Sequence, residues 1–184
     1  MVELARKAAI DSFPAGADSR ETVEALEELL TQSIHLRDLY KRACWRTPAA
    51  EHDGLRRLLD GHYKEQLRLV DLLIDRIRTL GGDGMVFAGD FLHSSRFPHL
   101  PRGRGTAIRL LRELLDAHEW VLTTALPTGT NDAQSVRAHA RDFALGQVVL
   151  ANELQSSIVR EQLMRWESKE RVHQMQASAS LGYE

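Results

Sequence analysis

The sequence predicts an all-α protein built from four long helices. Apolar residues recur at helical spacing along four segments, and no segment of any length shows the alternation of a β-strand. The 184 residues, 43% of them apolar and 27% charged, suffice for one domain with a sizeable core. A connection over residues 83–105, too long for a tight hairpin, separates the second and third helical segments.

The first two helices are predicted on either side of Pro48. Helix A begins near Ser19 or Thr22 and ends near Thr47, where the proline interrupts it. Helix B covers about residues 50–80 and ends at a glycine pair typical of a C-cap, Gly81-Gly82. The predicted apolar stripes are Val23, Leu26, Leu29, Leu30, Ile34, Leu36, Leu39, Tyr40, Ala43 and Cys44 in helix A, and Tyr63, Leu67, Val70, Leu73, Ile74, Ile77 and Leu80 in helix B.

The second pair of helices follows the long connection. Helix C is predicted over about residues 106–126 and helix D from about residue 131 to residue 167 or beyond, with a turn at PTGTND between them. The organisation is therefore an N-terminal tail (1–19), a helical domain (20–170) and a C-terminal tail (171–184). The residues predicted to face inward are Ile108, Leu111, Leu114, Leu115, His118, Val121 and Leu122 in helix C, and Phe143, Val148, Leu150, Ala151, Leu154, Ile158, Val159 and Met164 in helix D.

The length of the central connection predicts the topology of the bundle. Short turns make neighbouring helices antiparallel, whereas a long crossover between the second and third helices makes those two parallel. This topology is that of a ferritin-like four-helix bundle. The middle of the crossover, MVFAGDFLHSS, is predicted to hold a short helix.

Composition limits the cellular setting and the partners. The net charge of −2, with 24 basic and 26 acidic residues, gives no general attraction to nucleic acid or to an anionic membrane. The single cysteine, Cys44, cannot form a disulfide within the chain, and no apolar run is long enough to cross a bilayer. We expect a reduced, cytoplasmic protein without a membrane segment.

Two carboxylates in helix B form the main candidate site. Asp71 and Asp75 are four residues apart, so about 400° of helical rotation places them one above the other. Like charges in this arrangement repel each other mildly unless a cation lies beside them. Either a metal ion or an arginine side chain would supply this positive charge.

Three stretches resemble the Dps family of mini-ferritins. They are LYKRACW near the end of helix A, LRRLLDGHYKEQLRLVDLLIDRIRTLGG in helix B and GMVFAGDFL in the connection, within a similarity over about residues 20–125. The family has a His-Trp pair at the end of helix A and a D-x-x-x-E-R-x-x-x-x-G-G pattern in helix B. Trp45, Asp71, Arg76, Gly81 and Gly82 match these positions.

The resemblance implies an iron-oxidising site between two subunits, in which helix B carboxylates of one face histidines of the other. Asp71 matches the family's Asp, and Asp75 takes the place of its Glu. Cys44 stands where the first His is expected, and ungapped counting puts Arg56 at the second. The implied metal ligands are therefore Asp71, Asp75 and Cys44, with Arg56 as a fixed cation that modifies the site. A thiol beside peroxide is open to oxidation, and an arginine can replace a metal by pairing with both carboxylates.

Structural roles compete with these functional ones. Asp71 and Asp75 would also be satisfied by a salt bridge to Arg56, Arg68 or a partner subunit. For Cys44 the role of a small buried apolar residue is favoured over that of a ligand. His62 is expected at the surface or an interface, with membership of a displaced metal site as the alternative, and His118 as a hydrogen-bonded core histidine, with metal ligation as the alternative. A di-iron centre inside the bundle is disfavoured, because Ser156 and Arg68 stand three residues after Glu153 and Glu65, where histidines are needed.

The resemblance implies a hollow dodecamer that binds iron, oxidises Fe(II) with peroxide or oxygen, stores the ferric product and protects against oxidative stress. The alternative is a non-catalytic shell or binding protein that has lost the oxidation site. Apolar Leu69 and Leu72, beside the main stripe of helix B, are expected to need cover from another subunit. The tails balance basic against acidic residues, so DNA binding is expected to be weak or absent.

Overall fold

Four helices account for almost all of the chain that the computed structural model describes, which comprises residues 17–47, 49–84, 107–125 and 143–181. They are α1 (Ala17–Arg46), α2 (Ala49–Thr79), α3 (Ala107–Ala125) and α4 (Phe143–Leu181). No strand occurs within these ranges. The predicted fold class is therefore confirmed, and the first three helices have ends close to those predicted.

The helices pack around a core rich in leucine. In this bundle α1 packs against α2 and α3, while α4 packs against α3 and α2, so α2 and α3 lie on a diagonal. Each helix contributes apolar positions three and four residues apart, because such positions share one face. The largest fully buried apolar side chains are Tyr40, Leu29, Leu30, Leu36, Leu59, Leu69, Leu73, Ile77, Leu111 and Leu114.

The glycine pair ends α2 as the sequence predicts. Gly81 has a φ of 86°, and its N–H donates to the Arg78 carbonyl at 3.0 Å. The N–H of Gly82 donates to the Ile77 carbonyl, also at 3.0 Å. These two hydrogen bonds form a Schellman motif, which satisfies carbonyl groups that the last turn would otherwise leave unpaired. At the other end of α2, His52 departs from helical geometry (φ −140°, ψ 40°), so the regular helix begins after it.

The outer face of α4 corrects the predicted core. Phe143, Leu150, Leu154 and Met164 were predicted to face inward, yet each is more than half exposed. At about 100° per residue they share a sector of about 80° with two further exposed apolar residues. The six members of this α4 apolar stripe are Phe143, Leu150, Leu154, Met164, Val172 and Met175. Leu67 of α2 was also predicted to be buried and is 38% exposed.

Two further expectations are corrected. Leu69 is fully buried and Leu72 is half-buried within the chain, so neither requires cover from another subunit. Helix α4 continues to Leu181, through most of the segment 171–184 that the sequence assigns to a C-terminal tail. The predicted short helix in the crossover, most of the N-terminal tail and the predicted start of helix D lie outside the described residues.

None of the helices described here has the length and apolar character needed to span a membrane.

Candidate functional site

The carboxylates of Asp71 and Asp75 lie on an exposed face of α2. Among the described residues neither forms a salt bridge, and Arg68, one candidate partner, instead donates to Glu65 at 2.7 Å. The exposed pair is consequently open to a cation from outside the chain. The i, i+4 spacing brings the two acids close enough to share that cation.

Cys44 lies near the end of α1, with only 6% of its surface exposed. Burial raises the pKa of its thiol, the negative charge of Asp60 raises it further, and Lys41 and Arg56 offset part of that rise. Asp60 shares this environment. A hydrogen bond from Lys64 lowers the pKa of its carboxyl, burial opposes that effect, and the charges of Lys41 and Arg56 lower the pKa further. On one chain, Cys44 thus lies within the electrostatic influence of Arg56 and Asp60.

The aspartate pair, Asp71 and Asp75, cannot meet Arg56 within one chain. Arg56 and Asp71 are separated by fifteen residues of α2, which corresponds to about 22 Å at 1.5 Å per residue. The predicted salt bridge between Arg56 and the two aspartates is therefore excluded inside a subunit. Within the described part of the chain, no cluster of three or more His, Cys, Asp and Glu side chains could hold a metal ion.

A second constellation lies inside the bundle and joins all four helices. The hydroxyl of Tyr40 on α1 is 2.6 Å from Nε2 of His118 on α3 and 3.1 Å from Nδ1 of His62 on α2. Nδ1 of His118 is 2.9 Å from Oδ1 of Asn152 on α4. Nε2 of Gln66 donates to the same oxygen at 3.2 Å and to Oε1 of Gln155 at 2.9 Å. We call these six residues the core polar network.

The direction of each hydrogen bond follows from one backbone contact. Nδ2 of Asn152 donates to the Val148 carbonyl at 2.7 Å, which makes its Oδ1 the acceptor that faces His118. Nδ1 of His118 must then carry a proton, and its Nε2 offers a lone pair. Tyr40 donates its only hydroxyl proton to that lone pair. His62 accordingly donates from Nδ1 to the Tyr40 oxygen.

Burial keeps the members of the core polar network uncharged. It lowers the pKa of His62 to about 4, and it lowers the pKa of His118 to about 4 against an opposing effect of Asn152. Burial also raises the pKa of Tyr40 well above its ordinary value. At neutral pH the network therefore contains a phenol and two neutral imidazoles. In this state the Nε2 lone pair of His118 is the acceptor for the Tyr40 hydroxyl.

Sequence reasoning found part of this network. The prediction that His118 is a hydrogen-bonded core histidine is confirmed, but His62 is only 9% exposed and was wrongly predicted at the surface or an interface. A usable signal was present, because His62 and Gln66 are four residues apart and Asn152 and Gln155 are three apart. The buried amide Gln66 also keeps one oxygen, Oε1, without a hydrogen-bond partner among the described atoms.

Comparison with known proteins identifies the family. The ferritin-like domain family matches residues 23–163. The chain superposes on DpsC from Streptomyces coelicolor with a TM-score of 0.70 and 30% sequence identity, covering 83% of this chain and 90% of that one. The chain belongs to the Dps family of ferritin-like proteins.

Two further solved structures share the fold of this Dps-family chain, and one further relative is similar in sequence. Dps from Thermosynechococcus elongatus shares the fold at a TM-score of 0.66 and 19% identity, covering 79% of this chain and 92% of that one. A point mutant of Mycobacterium smegmatis Dps1 shares the fold at a TM-score of 0.67 and 17% identity, covering 82% of this chain and 99% of that one. A Kitasatospora aureofaciens protein named for the bpoA2 5′ region is 38% identical over 120 residues, 63% of this chain and 78% of its own length.

The interior of this Dps-family bundle differs from that of the di-iron carboxylate proteins. Those proteins direct glutamates and Glu-x-x-His motifs into the core from facing helices. Here the facing side chains are a phenol, imidazoles and amides, while Glu153 is exposed and Glu65 pairs with Arg68 on the surface. The core polar network lacks the anionic ligands that a buried di-iron pair requires.

Proposed function

We propose that this Dps-family protein binds and stores iron, and that it oxidises Fe(II) as a substrate at an altered site between two subunits. One observation carries the proposal. Helix α2 presents Asp71 and Asp75 as an exposed acidic pair, while Arg56, whose charge lowers the pKa of Cys44, lies about 22 Å from Asp71 along the same helix. Each subunit therefore holds two half-sites, and only a second copy can complete them.

In this site the carboxylates of Asp71 and Asp75 supply hard oxygen ligands for Fe(II). Cys44 of the partner subunit faces them from the opposite half-site. Its raised pKa keeps it as a thiol, which must lose a proton before it binds metal, so its contribution to affinity is small. The reaction removes one electron from Fe(II) and passes it to peroxide or oxygen, which makes the protein a slow ferroxidase.

Arg56 of the partner subunit lowers the affinity of the site for iron. Its guanidinium is permanently charged and can pair with both carboxylates, so it competes with Fe(II) for the same oxygens. We therefore expect weak binding and slow oxidation. Carboxylates on the inner surface of a hollow dodecamer would still allow ferric mineral to accumulate. This activity belongs to a cytoplasmic protein that protects against oxidative stress and binds DNA weakly or not at all.

Fe(II) oxidation by the assembled protein tests this assignment. Arg56→His removes the fixed cation and introduces an imidazole, so the initial rate should rise, whereas Asp71→Asn and Asp75→Asn should lower Fe(II) binding measured calorimetrically without oxygen. The matched control is Arg57→His, because Arg57 is the adjacent arginine and pairs with Asp53 on the surface. Equal rates for wild type, Arg56→His and Arg57→His would contradict the proposed site.

The burial of Cys44 favours a second candidate function. A buried, protonated thiol and a competing arginine are also what a shell without catalysis would contain, since neither helps to bind iron. Such a protein would keep the assembly and act as a structural or binding shell. No Fe(II) binding at Asp71 and Asp75 in wild type or in Arg56→His, with assembly intact, would favour this function.

A further inference from the structure

The core polar network is not used by the proposed iron site. Cys44 is one helical turn from Tyr40 along α1, but the Tyr40 hydroxyl points to His118 and His62 inside the bundle. Tyr40 and His118 are both fully buried. A short hydrogen bond between a phenol and a neutral base is costly to assemble in a leucine core, since every polar atom there needs a partner.

We propose that Tyr40 is a redox-active residue that gives up one electron and one proton together, with His118 as the proton acceptor. The oxidant is a one-electron acceptor such as the hydroxyl radical that Fe(II) and peroxide generate. The O–H bond of Tyr40 breaks, its electron goes to the oxidant, and its proton forms a new N–H bond at Nε2 of His118. The products are a neutral tyrosyl radical and an imidazolium.

The geometry supports the coupled step for two reasons. Loss of an electron alone would leave the positive charge on the phenol, whereas simultaneous proton transfer moves that charge to the His118 ring, whose Nδ1–H is hydrogen-bonded to Asn152. The acceptor is already in place, because the Oη to Nε2 distance is 2.6 Å and the Nδ1–H to Asn152 bond fixes the required tautomer. The same Asn152 oxygen stabilises the imidazolium after transfer.

The step is also reversible. The His118 imidazolium holds the proton 2.6 Å from the tyrosyl oxygen, which takes it back only together with an electron. When Fe(II) or another one-electron reductant supplies an electron, the O–H bond of Tyr40 re-forms and His118 becomes neutral again. His62 donates to the same oxygen from the other side and holds it in position throughout. The bundle can thus take up an oxidising equivalent without permanent damage.

The chain provides a matched control in Tyr63. This residue is half-buried on α2, and the ammonium of Lys41 lies 4.4 Å from the centre of its ring. A cation over the ring opposes loss of an electron from it. No hydrogen bond from its hydroxyl to a histidine is present among the described residues. Tyr63 should therefore be much harder to oxidise than Tyr40.

The experiment uses the full-length assembled protein without iron and a photogenerated ruthenium(III) tris-bipyridine oxidant, followed by freeze-quench electron paramagnetic resonance. Wild type and Tyr63→Phe should give the same tyrosyl radical signal, and Tyr40→Phe should lose it. His118→Gln keeps a hydrogen-bond acceptor but cannot take up the proton, so its radical yield should fall. A structural role for His118 would leave the yield unchanged.

A measurement on wild type covers the case in which Tyr40→Phe does not fold. The radical should show coupling to the exchangeable protons that His118 and His62 donate to its oxygen, lost in D2O, and should form more slowly in D2O. Because iron is absent, failure of the proposed ferroxidase site would not affect these results. A signal that persists in Tyr40→Phe, that is carried by tryptophan, that lacks the exchangeable coupling or that is unchanged in His118→Gln would overturn the assignment.

Discussion

Acid should weaken the bundle in a pH range defined by its buried histidines. In the unfolded chain His118 has a pKa of 6.5, whereas burial lowers it to about 4 in the fold. Between these two values the unfolded state binds more protons than the folded state, so stability falls as the pH falls. The contribution of His118 is complete above about pH 6.5 and is lost as the pH approaches about 4.

The expected loss of stability follows from the size of the pKa shift of His118. A change from 6.5 to about 4 corresponds to about 3 kcal/mol of preference for neutral imidazole. About 2 kcal/mol of that preference is lost between about pH 7 and about pH 5. The pKa values of His35 and His62 are also lowered to about 4. The wild-type protein should therefore lose more unfolding free energy than His118 alone accounts for. The carboxyl groups with lowered pKa, Asp60 and Glu65, titrate below this range.

His118→Gln isolates the contribution of His118. The glutamine amide can accept from Tyr40 and donate to Asn152, but it does not titrate. Urea unfolding at both pH values, at one fixed protein concentration, should show a loss about 2 kcal/mol smaller in this variant than in wild type. His173→Gln, which changes an exposed imidazole outside the network, is the control. If His118→Gln and wild type lose equal stability, then His118 is not held neutral by the fold.

Three further substitutions test packing and surface contacts by urea or thermal unfolding. Leu73→Ala should lower the free energy of unfolding by about 2–5 kcal/mol because Leu73 is fully buried. A loss as small as that of a surface substitution would place Leu73 outside the core. Gly82→Ala should destabilise by about 1–3 kcal/mol, since its Cβ would lie 2.6 Å from Ile77 Cγ2, whereas Gly54→Ala meets no atom within 4 Å and should be neutral or stabilising. Arg112→Ala should cost less than about 1 kcal/mol because its salt bridge to Glu167 is exposed, and a larger loss would indicate a packing role.

Much of the fold could be predicted because helical periodicity is a local property. The stripes of α1 and α3 and the glycine end of α2 depend on residues within a few positions of each other, and the structure contains them. The face of α4 could not be predicted in the same way. Leu150 and Leu154 extend one apolar stripe and Val148 and Val159 another, and the sequence alone does not say which stripe meets α3.

The candidate sites were predictable to different degrees. The spacing of Asp71 and Asp75 indicated a pair of acids on one helical face, and the structure leaves both side chains exposed. In the proposed site their relation to Cys44 and Arg56 depends on a second subunit, which no pattern within one chain describes. His62 was missed because its burial depends on Tyr40, a residue 22 positions earlier on another helix. Interactions of this kind are determined by packing and not by local spacing.

The core polar network also determines how the four helices align along their axes. A leucine core tolerates sliding and rotation, since one leucine can replace another at similar cost. The hydrogen bonds of the network tolerate neither, because a slip of one residue in any helix rotates its polar group by about 100° and leaves its partners unpaired. We therefore expect the network to favour one register of the four helices over others with similar leucine packing, as buried polar groups do in some coiled coils.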